Sequence, residues 1–142
     1  MELPSVVQQY FQNLTAGRFV EAAASFTADG FYSHEAYDPG AIGPTGARLE
    51  ARGRDAIAAM FRLRAERDWH HEIDSDVVGS SFYIHGRALD RDDALVLSFL
   101  SVGTISADGR ISSYIEYDTR PPVGFAAAVQ VEPDLTVPRD ER

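Results

Sequence analysis

Apolar residues at Val6, Val7, Tyr10, Phe11 and Leu14 recur with the spacing of a single helical face, which predicts a first helix. Gly17 interrupts it. A second, shorter helical pattern then carries Phe19, Ala22, Ala23 and Phe26. Thr27-Ala28-Asp29-Gly30 reads as its stop, with Gly30 suited to the left-handed position after a helix. Phe31-Tyr32-Ser33-His34 follows as a short strand. Residues 38–53, DPGAIGPTGARLEARG, are rich in Gly and Pro and read as one long loop, of the kind that forms lids or mobile segments. A third helix is expected from near Asp55, with Ile57, Met60 and Phe61 on one face.

After Trp69 the period changes from helical to alternating. Four strands are expected at about 70–78, 82–89, 94–106 and 110–119, separated by Gly79-Ser80, Asp90-Arg91-Asp92-Asp93 and the hairpin signal Asp108-Gly109. Helices first and an antiparallel meander after them imply an α+β domain over 1–119. The third of these strands is apolar on both faces: Leu95, Leu97, Phe99 and Ile105 on one, Val96, Leu100 and Val102 on the other. Helices can cover only one side, so the expectation is a homodimer through the outer sheet face. The alternative is a monomer whose tail folds back over it. Residues 120–142 have no sustained period, and their prolines and closing charges suggest an extended or disordered arm.

Composition narrows the class. The 142 residues are 44% hydrophobic and 11% aromatic, enough for one domain with a real core. No apolar run approaches the ~20 residues of a membrane span, and the opening MELPSVVQQY carries no secretion pattern. The absence of cysteine removes disulfides, thiolate nucleophiles and sulfur-ligated metals, and fits a cytoplasmic protein. A net charge of −9 opposes nucleic-acid binding. Arg62, Arg64 and Arg67, interrupted by Glu66 and Asp68, form a solvated helical face rather than a phosphate-binding patch. Dinucleotide, phosphate-loop, zinc-protease and nucleophile-elbow motifs are all missing. Trp69-His70-His71 invites a metal reading, but adjacent strand residues point to opposite faces, so neither a metal nor another cofactor is expected.

The stretches VVQQYFQNLTAGRF, SFTADGFYSH, RGRDAIAAMF and the DGRI hairpin resemble the nuclear transport factor 2-like superfamily. Within it they are most similar to the ketosteroid isomerase, SnoaL-like polyketide cyclase and limonene epoxide hydrolase group, over about residues 4–119. The resemblance implies a cone-shaped, cystatin-like fold, with helices packed on a curved sheet around a pocket for a small hydrophobic molecule. It places Tyr10 where the isomerase has a tyrosine that donates to a developing enolate, and His34 where it has a proton-shuttling aspartate. Ser101 falls at the isomerase's protonated aspartic acid, and a serine hydroxyl is the weaker donor, which argues against steroid isomerisation. Glu116 stands where the epoxide hydrolases have a catalytic aspartate. Their arginine–aspartate pair has no clear match, since HGRAL offers His85 and Arg87 in another order. His71 corresponds to a strand histidine of the dehydratase members.

The residues also speak for themselves. Tyr114, Glu116 and Asp118 share one face of the last strand by period two, opposite Ile111, Ile115 and Tyr117. If His34 and Glu116 enter an apolar pocket, burial raises the carboxyl pKa and lowers that of the imidazole, bringing both toward neutrality. Tyr10 or Tyr114 can then donate to an oxygen gaining charge. Tyr114, Asp118, Ser101, Phe99, His71 and Phe61 complete the expected substrate-contacting set. Such a constellation suits isomerisation, cyclisation, dehydration or water addition on a small carbonyl or polyketide-like compound. Two alternatives stay open: a non-catalytic binding or dimerisation module, and a pocket filled by its own Phe and Leu side chains. The distance from His34 to Glu116 separates the first alternative from an enzyme.

Overall fold

The computed structural model describes residues 2–35, 48–64, 68–119 and 133. Three helices, α1 (Ser5–Thr15), α2 (Phe19–Ala23) and α3 (Arg54–Arg64), pack on one curved sheet. Its strands are β1 (Phe26–Glu35), β2 (Arg48–Arg52), β3 (His70–Val78), β4 (Ser81–Leu89), β5 (Leu95–Ile105) and β6 (Ile111–Thr119). Their spatial order is β2-β1-β6-β5-β4-β3. Every neighbouring pair is antiparallel except β1 and β6, which run parallel. This is the α+β cone that the sequence implies.

The core lies between the helices and the inner sheet face. Val7, Tyr10 and Leu14 come from α1, Ala22 and Ala23 from α2, and Ile57, Met60 and Phe61 from α3. They meet Phe26, Tyr32, Phe82, Ile84, Leu97, Phe99, Ile111 and Tyr114 from the strands. Two glycines make room for this layer. Phe82 pairs with Gly103 and Phe99 with Gly86 across the β4–β5 ladder. A Cβ on Gly103 would lie 2.1 Å from the Phe82 ring, and one on Gly86 2.2 Å from the Phe99 ring. The outer end of each ring therefore fills the space that a side chain on its neighbour would need.

The meander agrees with the alternating pattern to within a residue or two, and Gly109 has a φ of 81° in the last turn, as a tight hairpin requires. Three expectations need correction. Phe26 opens β1 instead of closing α2, because it pairs with Ile111 and the Ser25 carbonyl accepts from the Ile111 amide at 2.9 Å. Gly30 consequently sits inside β1 and is absent from the left-handed glycines; its Cβ would crowd that of Phe26 at 2.9 Å. Long-range pairing here overrides a local stop signal. Finally, the segment read as one loop contains β2, whose Arg48–Arg52 pairs with Glu35–Phe31. Leu49 and Ala51 do alternate with Arg48, Glu50 and Arg52, but the run is only five residues long and adjoins a Gly/Pro-rich stretch, which masked its strand character. Residues 36–47 and the arm expected over 120–142 lie outside the described residues, except for position 133.

Candidate active site

The site is a consequence of strand pairing. Because β1 and β6 run parallel with Tyr32 beside Tyr114, the residues two further along each strand emerge next to each other on the inner face. These are His34 and Glu116. His34 Nε2 lies 2.8 Å from Glu116 Oε1. On its other side, His34 Nδ1 is 2.6 Å from the backbone oxygen of Glu35. A carbonyl only accepts, so Nδ1 carries a hydrogen and Nε2 faces the carboxyl group. The pair thus shares one mobile proton, held on Nε2 as an imidazolium–carboxylate pair or on Glu116 as a neutral one. Exposure is 6% for His34 and 8% for Glu116, so water does little to screen the interaction.

The expectation that burial lowers the imidazole pKa is reversed in sum. Desolvation is the largest single influence on His34 and does pull downward from 6.5. The charge and hydrogen bond of Glu116, the Glu35 carbonyl and the charge of Asp118 together outweigh it, so the net displacement is upward. Just beyond, the Glu35 carboxyl is pushed up from 4.5, first by partial burial and then by the hydrogen bond and charge of Asp118, with Arg48 pulling it back. Ligand atoms of His34, Glu116 and Asp118 lie within 4.8 Å of one another, a spacing a cation could use. An ion there would compete for the atoms that make the His34–Glu116 hydrogen bond. His70 and His71 take no part in this group: His70 is exposed and faces Asp93 at 3.2 Å, and His71 points to the inner face.

Around the pair lies a cavity of about 30 Å³, lined by Tyr10, Phe11, Tyr32, His34, Trp69, His71, Leu97, Phe99 and Glu116 together with Leu14 and Ala88. That volume holds about one water molecule. The hollow is therefore much narrower than a pocket ready for a small organic ligand, because Phe11, Phe99, Leu14 and Trp69 fill it. Of the residues expected at the site, Tyr10, His34, His71, Phe99 and Glu116 line this cavity. Tyr114 and Ser101 are buried behind it, where the tyrosine hydroxyl donates to Ser101 Oγ at 2.9 Å. Asp118 stands beside the pair. Phe61 does not reach the cavity; it packs against Tyr10 and Tyr32, with ring centroids 5.8 and 5.1 Å away. His85 is exposed on the outer face.

Several lining residues escaped the sequence reading. Tyr32 is the most consequential: its ring stacks on Tyr114 at 5.3 Å and on His34 at 6.1 Å, and the Tyr10 hydroxyl donates to its own at 3.3 Å. The signal was available, since Tyr32 is two residues before His34 and so shares its face. Leu97 follows from Phe99 in the same way. Phe11 shares the apolar face of α1 with Tyr10, whereas Trp69 had no such signal, because its position depends on how separate elements dock.

No curated protein matches this sequence. Solved structures give the fold. A candidate polyketide cyclase from Sinorhizobium meliloti is 22% identical, with a TM-score of 0.61 over 81% of this chain and 95% of that one. A protein of ketosteroid isomerase-like fold from Catenulispora acidiphila, in complex with trimethylamine, is 19% identical, with a TM-score of 0.60 over 82% and 86%. SalBIII, an epoxide hydrolase/cyclase-like enzyme of pyran ring formation in salinomycin, is 20% identical, with a TM-score of 0.55 over 82% and 90%. Among the described residues no helix is long and apolar enough to cross a membrane. The SnoaL-like domain family matches residues 7–114, which includes both partners' strands up to Tyr114. With that match over most of its length, this chain belongs to the SnoaL-like domain family, within the nuclear transport factor 2-like superfamily.

Proposed function

We propose that this protein is a cofactor-independent acid–base enzyme acting on a small, largely apolar carbonyl or polyketide-like molecule, with the His34–Glu116 pair as its proton-transfer centre. The observation that supports it most is the 2.8 Å contact between the two groups inside an apolar wall. A binding module has no need of such a buried titratable pair, which is costly to desolvate. In this reading the Glu116 carboxylate accepts a proton from the substrate, and the His34 imidazolium returns one at another atom. The pair then regains its starting charge by passing the proton across their hydrogen bond. Tyr10, whose hydroxyl reaches the cavity wall beside Tyr32, donates to the oxygen on which charge develops. A ligand larger than water enters by displacing half-buried Phe11 or Trp69.

The test does not require the natural substrate. A panel of small β-dicarbonyl and aryl ketone compounds is incubated with the protein in D₂O, and deuterium uptake at acidic C–H positions is followed by mass spectrometry. Catalysed exchange is expected with at least one compound, falling about 100-fold or more in His34→Gln and Glu116→Gln. The narrowness of the cavity favours a second reading, a core permanently filled by its own side chains. No exchange, and no rise in melting temperature with any compound, would establish that reading instead.

We also propose that a second copy of the chain covers the outer sheet face. Val78, Tyr83, Leu100 and Tyr117 are exposed there, and Tyr83, Leu100 and Tyr117 flank an open groove of about 390 Å³. A contiguous apolar surface of this kind favours association over solvation.

A further inference from the structure

We propose that Arg48 is a positioning residue for the His34–Glu116 pair, tying the backbone of Glu116 to the side chain of Ser33, the residue before His34, from the edge strand; the inference rests on the acid–base reading of that pair. Arg48 sits on β2, opposite Glu35 in the β1–β2 ladder. Its guanidinium reaches across β1 to β6, because β1 lies between them in the sheet. Nε–H donates to Ser33 Oγ at 2.9 Å, and the Nη2 group donates to the backbone oxygen of Glu116 at 2.6 Å. The guanidinium carbon also lies 4.5 Å from the centroid of the Tyr117 ring.

The two bonded positions are informative. Ser33 is the residue before His34, and the other acceptor belongs to Glu116 itself. The parallel register of β1 on β6 runs through Ser33 beside Ile115, and the Arg48 contact continues the tie one residue beyond it. A planar fork with two fixed donors can hold this spacing, whereas a lysine's single ammonium cannot bridge both acceptors with the same geometry. Stacking on Tyr117 limits the fork's rotation. The spacing of the two side chains on the inner face is thereby set by a cation on the outer one.

Arg48 could instead act only through its charge, and the two roles have opposite signs. Removing a nearby cation favours the imidazolium and raises the His34 pKa. Loosening the Glu116 contact weakens the hydrogen bond and charge that now hold it up, and lowers it. Charged and titratable groups around the ring are Glu116 and Asp118 from β6 and Tyr32 from β1, with His71 of β3 and Tyr10 of α1 on the same cavity; Glu35 touches it through its backbone carbonyl, and Arg48 lies on the other face of the sheet. None of the others changes in an Arg48 variant.

The experiment is an NMR titration of the four histidine rings in the full chain, comparing wild type with Glu116→Gln, Arg48→Met, Arg48→Lys and Ser33→Ala. Glu116→Gln is expected to lower the His34 midpoint, which checks the pair itself. Arg48→Met should lower it by a smaller amount, with Arg48→Lys between it and wild type. Ser33→Ala, which removes one anchor and leaves the charge, should move it in the same direction. On a compound that shows exchange, Arg48→Met should reduce kcat about 10- to 100-fold with KM little changed. If Glu116→Gln lowers the midpoint but Arg48→Met leaves it alone or raises it, Arg48 is a structural or purely charge-bearing residue. If Glu116→Gln leaves the midpoint where it is, the pair reading fails first and takes this inference with it. Ser33→Ala and Arg48→Lys keep the proposal testable should Arg48→Met not fold.

Discussion

The two faces of β6 sort their side chains against the usual rule. Inward it presents Tyr114, Glu116 and Asp118; outward it presents Ile115 and Tyr117. Glu116 is 8% exposed and Tyr117 54%. A strand in an ordinary half-buried sheet does the reverse, because burying a carboxyl group is expensive and exposing an aromatic ring gains nothing. Each anomaly is compensated by something specific. The buried acid has His34, and the exposed ring carries Arg48. The inner departure from the rule points to chemistry and the outer one to packing against another surface, so substitutions on the two faces should fail in different ways.

The largest effect is expected where the inner face is made ordinary. Glu116→Leu leaves His34 buried without the Glu116 carboxylate, which should destabilise the fold by about 3–5 kcal/mol. The double variant His34→Leu, Glu116→Leu removes both desolvation penalties. It should recover that loss or exceed wild type, as replacement of buried ion pairs often does. Urea unfolding measures both, and exchange activity should be lost in both. The pH dependence separates them further. The folded pKa of His34 lies above its unfolded value of 6.5, so the folded state holds more protons over that interval. The stabilisation is complete below about 6.5 and is lost as pH rises through the folded pKa. Wild-type stability should fall across that window, and the double variant should lose this slope. A double variant that is much less stable than Glu116→Leu alone would mean the pair is structural.

A smaller effect contrasts neighbours on β5. Gly103→Ala adds one methyl group on the inner face, where it would meet the Phe82 ring at 2.1 Å. It should cost about 1–3 kcal/mol in thermal or urea unfolding, although it adds apolar surface and strand propensity. Val102→Ala, one residue away on the outer face, should cost less than Gly103→Ala. Equal costs would mean that the inner layer repacks freely, and the close fit of ring on glycine would lose its significance.

This contrast also explains how much was legible beforehand. Period two places Tyr114, Glu116 and Asp118 on one face without any coordinates, and the helical spacing of Val7, Tyr10 and Leu14 marks the core side of α1. Those are local properties. Two facts are not local: the parallel pairing of β1 with β6, which sets His34 beside Glu116, and the docking of β2, which brings Arg48 over both. Each joins residues far apart in sequence. Nor does any local pattern show why Gly103 and Gly86 stand inside strands, which follows from Phe82 and Phe99 packing against them. The small volume of the cavity was equally hidden, since it depends on how Phe11 and Trp69 pack and not on where they fall in a pattern.

The smallest effect on the fold, and the one that sharpens the contrast most, belongs to the outer face. Leu100 is 60% exposed and lines the open groove beside Tyr83 and Tyr117. It serves better than Tyr117, whose ring touches Arg48 and would disturb the pair. In a single chain, Leu100→Asp changes a solvated position and should alter stability by about 0.5 kcal/mol or less. If a second copy covers this face, the same substitution buries an unpaired carboxylate at the centre of an apolar contact. Analytical ultracentrifugation should then show wild type sedimenting as two chains and Leu100→Asp as one. The concentration dependence of the melting temperature should disappear with it. Wild type that sediments as one chain at every concentration would leave the exposed apolar face without this partner, while the inner pair would be untouched by the result.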